Sequence, residues 1–250
     1  MKPIPLTDDD RQRYEWQLAI DGFGPAAQER LKGASVLVSR VGGVGGALAQ
    51  QLALAGVGRL VLAHAGPLRL DDLNRQALMS QAGVGASRVE QATARLRALN
   101  PAIEVQAVAE NIGAANVEAL VAEVDAVASC APLFEERLLL NQAAVRQGKP
   151  LVDSAMYELE VQVTAVVPGQ TACLACLYPE PPPAWHRRFP VLGAVAGAAG
   201  CFGALEIIKL LTGLGESLAG QMLIADLRTL SFRKVRLRRD PACAVCAVPS

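Results

Sequence analysis

Two groups of residues in this 250-residue chain have the types and spacing to do chemistry. The first is a pair of C-x-x-C steps, Cys173-Leu-Ala-Cys176 and Cys243-Ala-Val-Cys246. Each step lets two thiolates reach one tetrahedral zinc, and four thiolates make a closed, structural site. The steps lie about 70 residues apart, farther than in a zinc ribbon. Chance buried cysteines and a redox pair are the other readings of the same spacing. The second group is Arg40-Val-Gly-Gly-Val-Gly45. In a G-x-G-x-x-G fingerprint the first glycine makes the tight turn, the second admits phosphate to the backbone, and the third lets helix and strand pack closely. Here those positions are Arg40, Gly42 and Gly45, so a long cation stands where the first glycine belongs. The acid expected ~20 residues on, at the tip of the second strand where it would hold ribose hydroxyls, falls at His64.

The elements around these residues predict how they are held. Val36 to Val38 reads as a buried strand and Ala47 to Leu54 as a helix, so the glycines join a strand to a helix. Leu60 to Leu62 is the second strand, ending near His64. Residues 9 to 31 read as a helical arm capped by Asp9 or Asp10 and broken at Gly22-Phe-Gly-Pro25. Ser87 caps a helix running to Leu99, which Asn100-Pro101 ends. Strands at 103–108 and 126–128, helices at 115–124 and 135–146, and a strand at 151–152 complete an alternation that implies a doubly wound, mostly parallel α/β sheet. Past residue 158, Leu159 to Val167 and Gly220 to Leu237 read as antiparallel strands. A proline-rich loop from Pro179 to Pro190 and a helix from Gly193 to Leu211 lie between them.

Composition bounds the function classes. Apolar residues make up 52% and charged residues 19%, which is globular, and 24 basic residues balance 24 acidic ones. That balance argues against a nucleic-acid or anionic-membrane surface. The basic cluster Arg233 to Arg239 reads as the solvated face of an edge strand. The N-terminus lacks a signal core, and the apolar run Val191 to Ala204 is short and glycine-rich, so a buried helix and a cytoplasmic location are expected. The six cysteines are then reduced or metal-bound, with Cys130 and Cys201 expected in the core.

With the glycine loop, Asp71-Asp-Leu-Asn-Arg-Gln76, Asn100-Pro101 and the paired C-x-x-C steps in this order, the chain resembles the ThiF/MoeB/HesA family of ubiquitin-activating-enzyme-like proteins. The likeness runs from Arg13-Tyr14 to Cys246 and includes Ala55-Gly-Val-Gly58, Glu206-Ile-Ile-Lys209 and Asp240-Pro-Ala-Cys243. It implies a Rossmann-like single domain. Residues 1–31 form its helical arm, 32–155 the nucleotide-binding-type core, and 156–250 the antiparallel strands and zinc-binding part. It also implies a homodimer that uses Mg-ATP to adenylate the C-terminal glycine of a ubiquitin-like sulfur carrier ending in Gly-Gly. Structural zinc would sit on Cys173, Cys176, Cys243 and Cys246.

Carried over residue by residue, the resemblance places the nucleotide contacts at Arg40, Gly42, Gly43, Gly45, His64, Asp72, Arg75, Gln76 and Arg88. Several differ from the family. Trp16 replaces an arginine that reaches ATP phosphates in the partner subunit. Arg40 replaces glycine, and His64 the ribose-binding aspartate. Asp72 replaces asparagine, and Arg88 replaces lysine, which keeps the charge but not the point-like ammonium. Pro132 replaces the aspartate that holds magnesium. The acyl-accepting cysteine of thioester-forming members falls near His186, with no cysteine in reach. Arg75 and Arg88 are the candidates for chemistry. Adenylation is mostly positioning and charge neutralisation, each such group contributing ~3 kcal/mol or more. These losses count against retention of ATP and magnesium and favour a carrier-binding or scaffold homologue. The competing reading is an active adenylyltransferase using Arg40, Arg75 and Arg88 as a replacement phosphate clamp. A nicotinamide-dependent oxidoreductase agrees less well with the cysteine pairs and Asp-Leu-Asn-Arg-Gln.

Overall fold

The computed structural model describes residues 1–180 and 189–247. The arm consists of α1 (Asp8–Arg13), α2 (Glu15–Leu18) and α3 (Gly24–Lys32). The core runs β1 (Ser35–Ser39), α4 (Gly43–Ala55), β2 (Arg59–Ala63), α5 (Arg88–Leu99), β3 (Glu104–Val108), α6 (Val117–Ala122), β4 (Ala126–Ser129), α7 (Phe134–Arg146) and β5 (Leu151–Tyr157). The remainder is β6 (Glu160–Val166), α8 (Leu174–Leu177), α9 (Gly193–Thr212), β7 (Gln221–Asp226) and β8 (Ser231–Arg236). The strands form one eight-stranded sheet in the order 3-2-1-4-5-6-7-8. Pairing is parallel from β3 through β5 and antiparallel from β5 through β8. The expected mostly parallel α/β sheet with antiparallel C-terminal strands is therefore what the chain builds.

Alternation along each strand divides the core between the two faces of the sheet. Val36, Val38, Leu60 and Leu62 pack with Leu48, Leu52, Val89 and Leu96 of α4 and α5, and with Ala199 and Ile207 of α9. Leu37, Val61 and Val127 face the other way, onto Val121 of α6 and Leu140 and Ala144 of α7. Helices α4 and α9 approach closely because small residues line their contact. A Cβ on Gly200 would come within 2.4 Å of the Val44 carbonyl oxygen. This explains the glycine content of α9. At 20 residues α9 is long and apolar enough to cross a membrane by length and composition, yet half of its most apolar window is buried.

Some local expectations need correction. Thr7, not Asp9 or Asp10, caps α1: its hydroxyl accepts from the Asp10 amide, and Asp10 answers through its own carboxylate in a capping box. Strand β5 is seven residues long rather than two, because beyond Val152 it continues as the antiparallel partner of β6. The 220–237 segment is a hairpin of two strands turning at Leu230, whose φ is +55°. Cys201 is exposed on α9, opposite the face that Gly200, Gly203 and Ala204 turn to the core. Strand β8 is solvated along its whole length, as the basic edge pattern implied.

Tyr14, Gln17 and Asn100 brace the frame. Asn100 donates to Tyr14 Oη at 2.9 Å and to the Ala53 carbonyl at 2.7 Å. Gln17 and Gln28 both donate to the Ala55 carbonyl, tying the arm to the end of α4. Trp16, beside Gln17, is 89% exposed.

Candidate functional site

The sheet order reverses between β1 and β4, and a cavity of about 510 Å³ opens beyond the C-terminal ends of these strands. Ligands of open α/β sheets bind at such a reversal. Arg40, Gly42, Gly43, His64, Asp72, Arg75, Gln76 and Arg88 all line this cavity, so the structure gathers eight of the nine positions proposed from sequence. The ninth, Gly45, lies behind the loop. A Cβ there would sit 2.4 Å from the Arg40 carbonyl oxygen and 3.2 Å from Cys130 Cβ, so it serves the close packing of α4. Pro132, which stands in place of the family's magnesium-holding aspartate, lines the wall, and His64, 6% exposed, lies at the tip of β2. Residues 181–188 of the proline-rich loop, with His186, lie outside the described residues.

Arg40 takes the left-handed conformation a glycine would supply, with φ at +61°. Such a turn costs an L-residue roughly 1–2 kcal/mol. Its side chain reaches α7, where Nε donates to Glu136 Oε2 at 2.7 Å. Burial pushes the Glu136 carboxyl above its ordinary range, and the Arg40 charge only partly opposes this.

The other two arginines converge on Asp72. Arg88 donates through Nε at 3.2 Å and Nη2 at 2.8 Å to Oδ2, and Arg75 Nη2 lies 3.1 Å from Oδ1. The Arg69 amide also donates to Oδ2, at 3.0 Å. Burial raises the Asp72 carboxyl, but the Arg88 and Arg69 hydrogen bonds and the two guanidinium charges outweigh it and hold the group below its ordinary value. Arg88 Nη1 lies 3.4 Å from His64 Nε2 and 3.3 Å from the Ala65 carbonyl oxygen. All three arginines of the proposed clamp thus already hold a carboxylate of the protein.

A fourth arginine was missed in the sequence. Arg137 lines the cavity, bonds Asp153 through Nε at 3.0 Å and also through Nη2, and lies 4.5 Å from the Phe134 ring centroid and 5.7 Å from that of Tyr178. Ser129 donates to the same Asp153 at 2.8 Å. The available signal was Asp153 itself, an acid directly after the apolar pair Leu151-Val152, where a buried charge requires a partner. Cys130 also lines the cavity. Burial raises its thiol well above the usual range, which agrees with a core residue rather than a nucleophile.

On the opposite face of the sheet the four C-x-x-C cysteines meet. Their sulfurs all lie within 4.8 Å of one another, with Cys173 to Cys243 at 3.7 Å and Cys176 to Cys246 at 3.4 Å. Four sulfurs about 2.3 Å from a tetrahedral ion stand ~3.8 Å apart, so the cluster suits a metal. Burial pushes the Cys173 thiol up to about 12, so four thiolates coexist there when a cation compensates them.

A family model described as the ThiF family matches residues 14–245. The chain is 49% identical to "Protein HesA, heterocyst" of Trichormus variabilis, over 97% of this chain and 91% of that protein. It is 36% identical to a sulfur carrier protein adenylyltransferase of Thermus thermophilus, over 96% and 92%. It is also 40% identical to the adenylyltransferase and sulfurtransferase MOCS3 of Sus scrofa, over 98% of this chain and 56% of that protein. In fold it is similar to the crystal structure of E. coli MccB with MccA-N7isoASN, at a TM-score of 0.84 and 23% identity, covering 95% of this chain and 75% of that one.

Proposed function

The chain belongs to the ThiF family, and we propose that it is a member whose Mg-ATP site has been dismantled and that binds or scaffolds a ubiquitin-like sulfur carrier. The carrier class comes from the relatives, one of which is a sulfur carrier protein adenylyltransferase. The observation that carries the loss of ATP chemistry is the pairing inside the cleft: Asp72 holds Arg75 and Arg88, and Glu136 holds Arg40. A triphosphate must displace these carboxylates while meeting their repulsion, and Pro132 offers magnesium no ligand. Phosphoryl chemistry depends on free, preorganised positive charge, which these pairs remove. The four cysteines hold zinc as a structural staple between the tail and the middle of the chain. The protein acts as a homodimer in the cytoplasm.

The second reading, an active adenylyltransferase with arginine-substituted phosphate contacts, draws on the convergence of Arg40, Arg75, Arg88 and Arg137 on one cavity. Calorimetry with Mg-ATP, together with pyrophosphate exchange in the presence of a carrier ending in Gly-Gly, separates the two. Dismantling predicts Mg-ATP affinity at least ~100-fold below an intact site, from two lost charge-assisted contacts at roughly 1.5 kcal/mol or more each. It also predicts no exchange. Micromolar binding with exchange establishes the second reading.

A further inference from the structure

Charge is balanced over the whole chain but not along it. Residues 227–239 carry Arg228, Arg233, Lys234, Arg236, Arg238 and Arg239 and no acid, although the chain has 24 residues of each sign. Arg228 lies 3.5 Å from Glu158, and Arg239 donates to the Gly169 carbonyl at 3.5 Å and also to that of Cys246. Arg233, Lys234, Arg236 and Arg238 have no ion pair or side-chain hydrogen bond among the described residues. Charges do guard edge strands against pairing, but here they also surround a groove.

The groove, of about 910 Å³, lies where β8 ends, and its walls include Gln170, Thr171, Gln221, Arg236, Arg238 and Arg239. Among the described residues no carboxylate and no aromatic ring lines it. Strand register fixes its place: Leu151 at the start of β5 pairs with Val166, Thr164 with Met222, and Gln221 with Arg236. The groove is therefore at the opposite end of the sheet from the cleft, which Ala155, Met156 and Tyr157 line at the far end of β5. Strand β8 is last in the sheet order, so its outer edge is unpaired among the described residues. Such an edge offers main-chain donors and acceptors to a further strand. Lys234 and Arg236 share one face of β8, at the two-residue repeat of any extended chain. A neighbouring strand with acids at alternate positions matches that repeat, and opposite charges facing each other across two strands are stabilising. Single-stranded nucleic acid wants aromatic platforms for its bases, which the groove lacks. A membrane-surface site wants large apolar side chains beside the basic ones, and of these the groove has Leu237 alone.

We propose that this groove and the free edge of β8 form a docking site for an acidic, extended segment of a partner protein, which adds a strand beside β8 and sets its carboxylates against Lys234, Arg236 and Arg238. Main-chain pairing supplies the affinity, and the cations select acidic side chains. The site is separate from the cleft and does not rest on the reading that Mg-ATP is excluded. Binding involves no covalent step.

The test is fluorescence anisotropy of the zinc-loaded protein with a labelled, end-blocked peptide alternating Glu and Thr. The comparison probes are a peptide of equal length and charge alternating Glu and Pro, one alternating Lys and Thr, single-stranded oligo-dT, and vesicles of phosphatidylserine and phosphatidylcholine. The Glu and Thr peptide is expected to bind at least about tenfold tighter than any of the others, and to weaken at least about tenfold as salt rises from about 0.05 to about 0.5 M. Arg236→Glu combined with Arg238→Glu, both at exposed positions, weakens it at least about tenfold, whereas Arg228→Gln, outside the groove, leaves it unchanged. Absence of binding overturns the proposal. Equal binding of the proline peptide, which cannot pair as a strand, also overturns it, as does tighter binding of the oligonucleotide or the vesicles. So does an affinity that salt or the double charge reversal leaves unmoved, or that Arg228→Gln lowers as much. None of these outcomes bears on nucleotide binding in the cleft.

Discussion

Asp72→Asn is the most informative single change in the cleft. The carboxylate is 5% exposed and takes hydrogen bonds from both Arg75 and Arg88. An anionic ligand that reaches either guanidinium stands about 6 Å from this carboxylate, where one unit charge at an effective dielectric near 20 is worth about 3 kcal/mol. Relaxation and salt reduce the gain on neutralising it to about 1.5–3 kcal/mol, or roughly 10- to 100-fold in affinity. Mg-ATP, whose phosphates would have to approach these guanidiniums, should gain within this range. The variant also loses stability, on the order of 3 kcal/mol, because Arg88 stays buried with only an amide opposite it. That loss has a defined pH dependence. Asp72 is held below its ordinary 3.8, so its contribution is complete above that value and vanishes as pH falls through the lower folded-state pKa. The stability gap between wild type and variant is therefore flat near neutrality and closes only below about pH 3.8. Calorimetry and urea denaturation read the two effects separately. A folded Asp72→Asn protein whose Mg-ATP affinity stays within about twofold of wild type refutes the idea that this carboxylate holds the triphosphate out.

Three further outcomes are expected. Arg40→Gly relieves roughly 1–2 kcal/mol of left-handed strain but strands Glu136, so it destabilises by about 2–3 kcal/mol net. Because burial raises the Glu136 carboxyl above 4.5, that loss grows as pH rises past this value, and adding Glu136→Gln recovers most of it in urea denaturation. Metal analysis should find about one zinc per chain, with Cys176→Ser lowering thermal stability while leaving ligand binding in the cleft unchanged; readily alkylated thiols at all four positions in metal-free, stably folded protein count against it. Sedimentation at micromolar concentration should give a dimer mass, since α9 leaves Cys201 and Leu205, one turn apart, exposed on one side; a monomer mass ends that expectation.

Much of the fold was legible because it is written in local periodicity. Val36 to Val38 alternates across the sheet, Ser87 caps α5 through its hydroxyl, and Asn100-Pro101 ends that helix as expected. The motif residues that recur around the arm proved to be bracing: Asn100 bonds Tyr14 and the end of α4, and Gln17 bonds the Ala55 carbonyl. The length of β5 was illegible from its first two residues because its second half is determined by pairing with β6. Cys201 was misplaced for a similar reason. An Ala/Gly-rich helix has no polar stripe to mark its outer face, so only its packing against α4 shows which side is wet.

The cleft reveals a different limit. Sequence could say that Arg40 stands in a glycine position, but not that its charge is spent on Glu136, 96 residues away. Asp72 read as a neutral amide exchanged for an acid, a change that removes a donor and adds a negative charge. Its consequence depends on Arg88, 16 residues on, and on Arg75, whose side chains turn to it rather than to the cavity centre. Each substitution is a local fact, whereas the electrostatic state of the cleft is a sum over partners that meet only in the folded chain. Arg40 meets Glu136 and Asp72 meets Arg75 and Arg88, so each of the two substituted charges sits against a group of opposite sign in space. A clamp of free arginines would have left its carboxylate positions neutral. On the proposed reading, compensated charge of this kind lets the fold keep its cavity at the sheet reversal while withdrawing the field that a triphosphate needs.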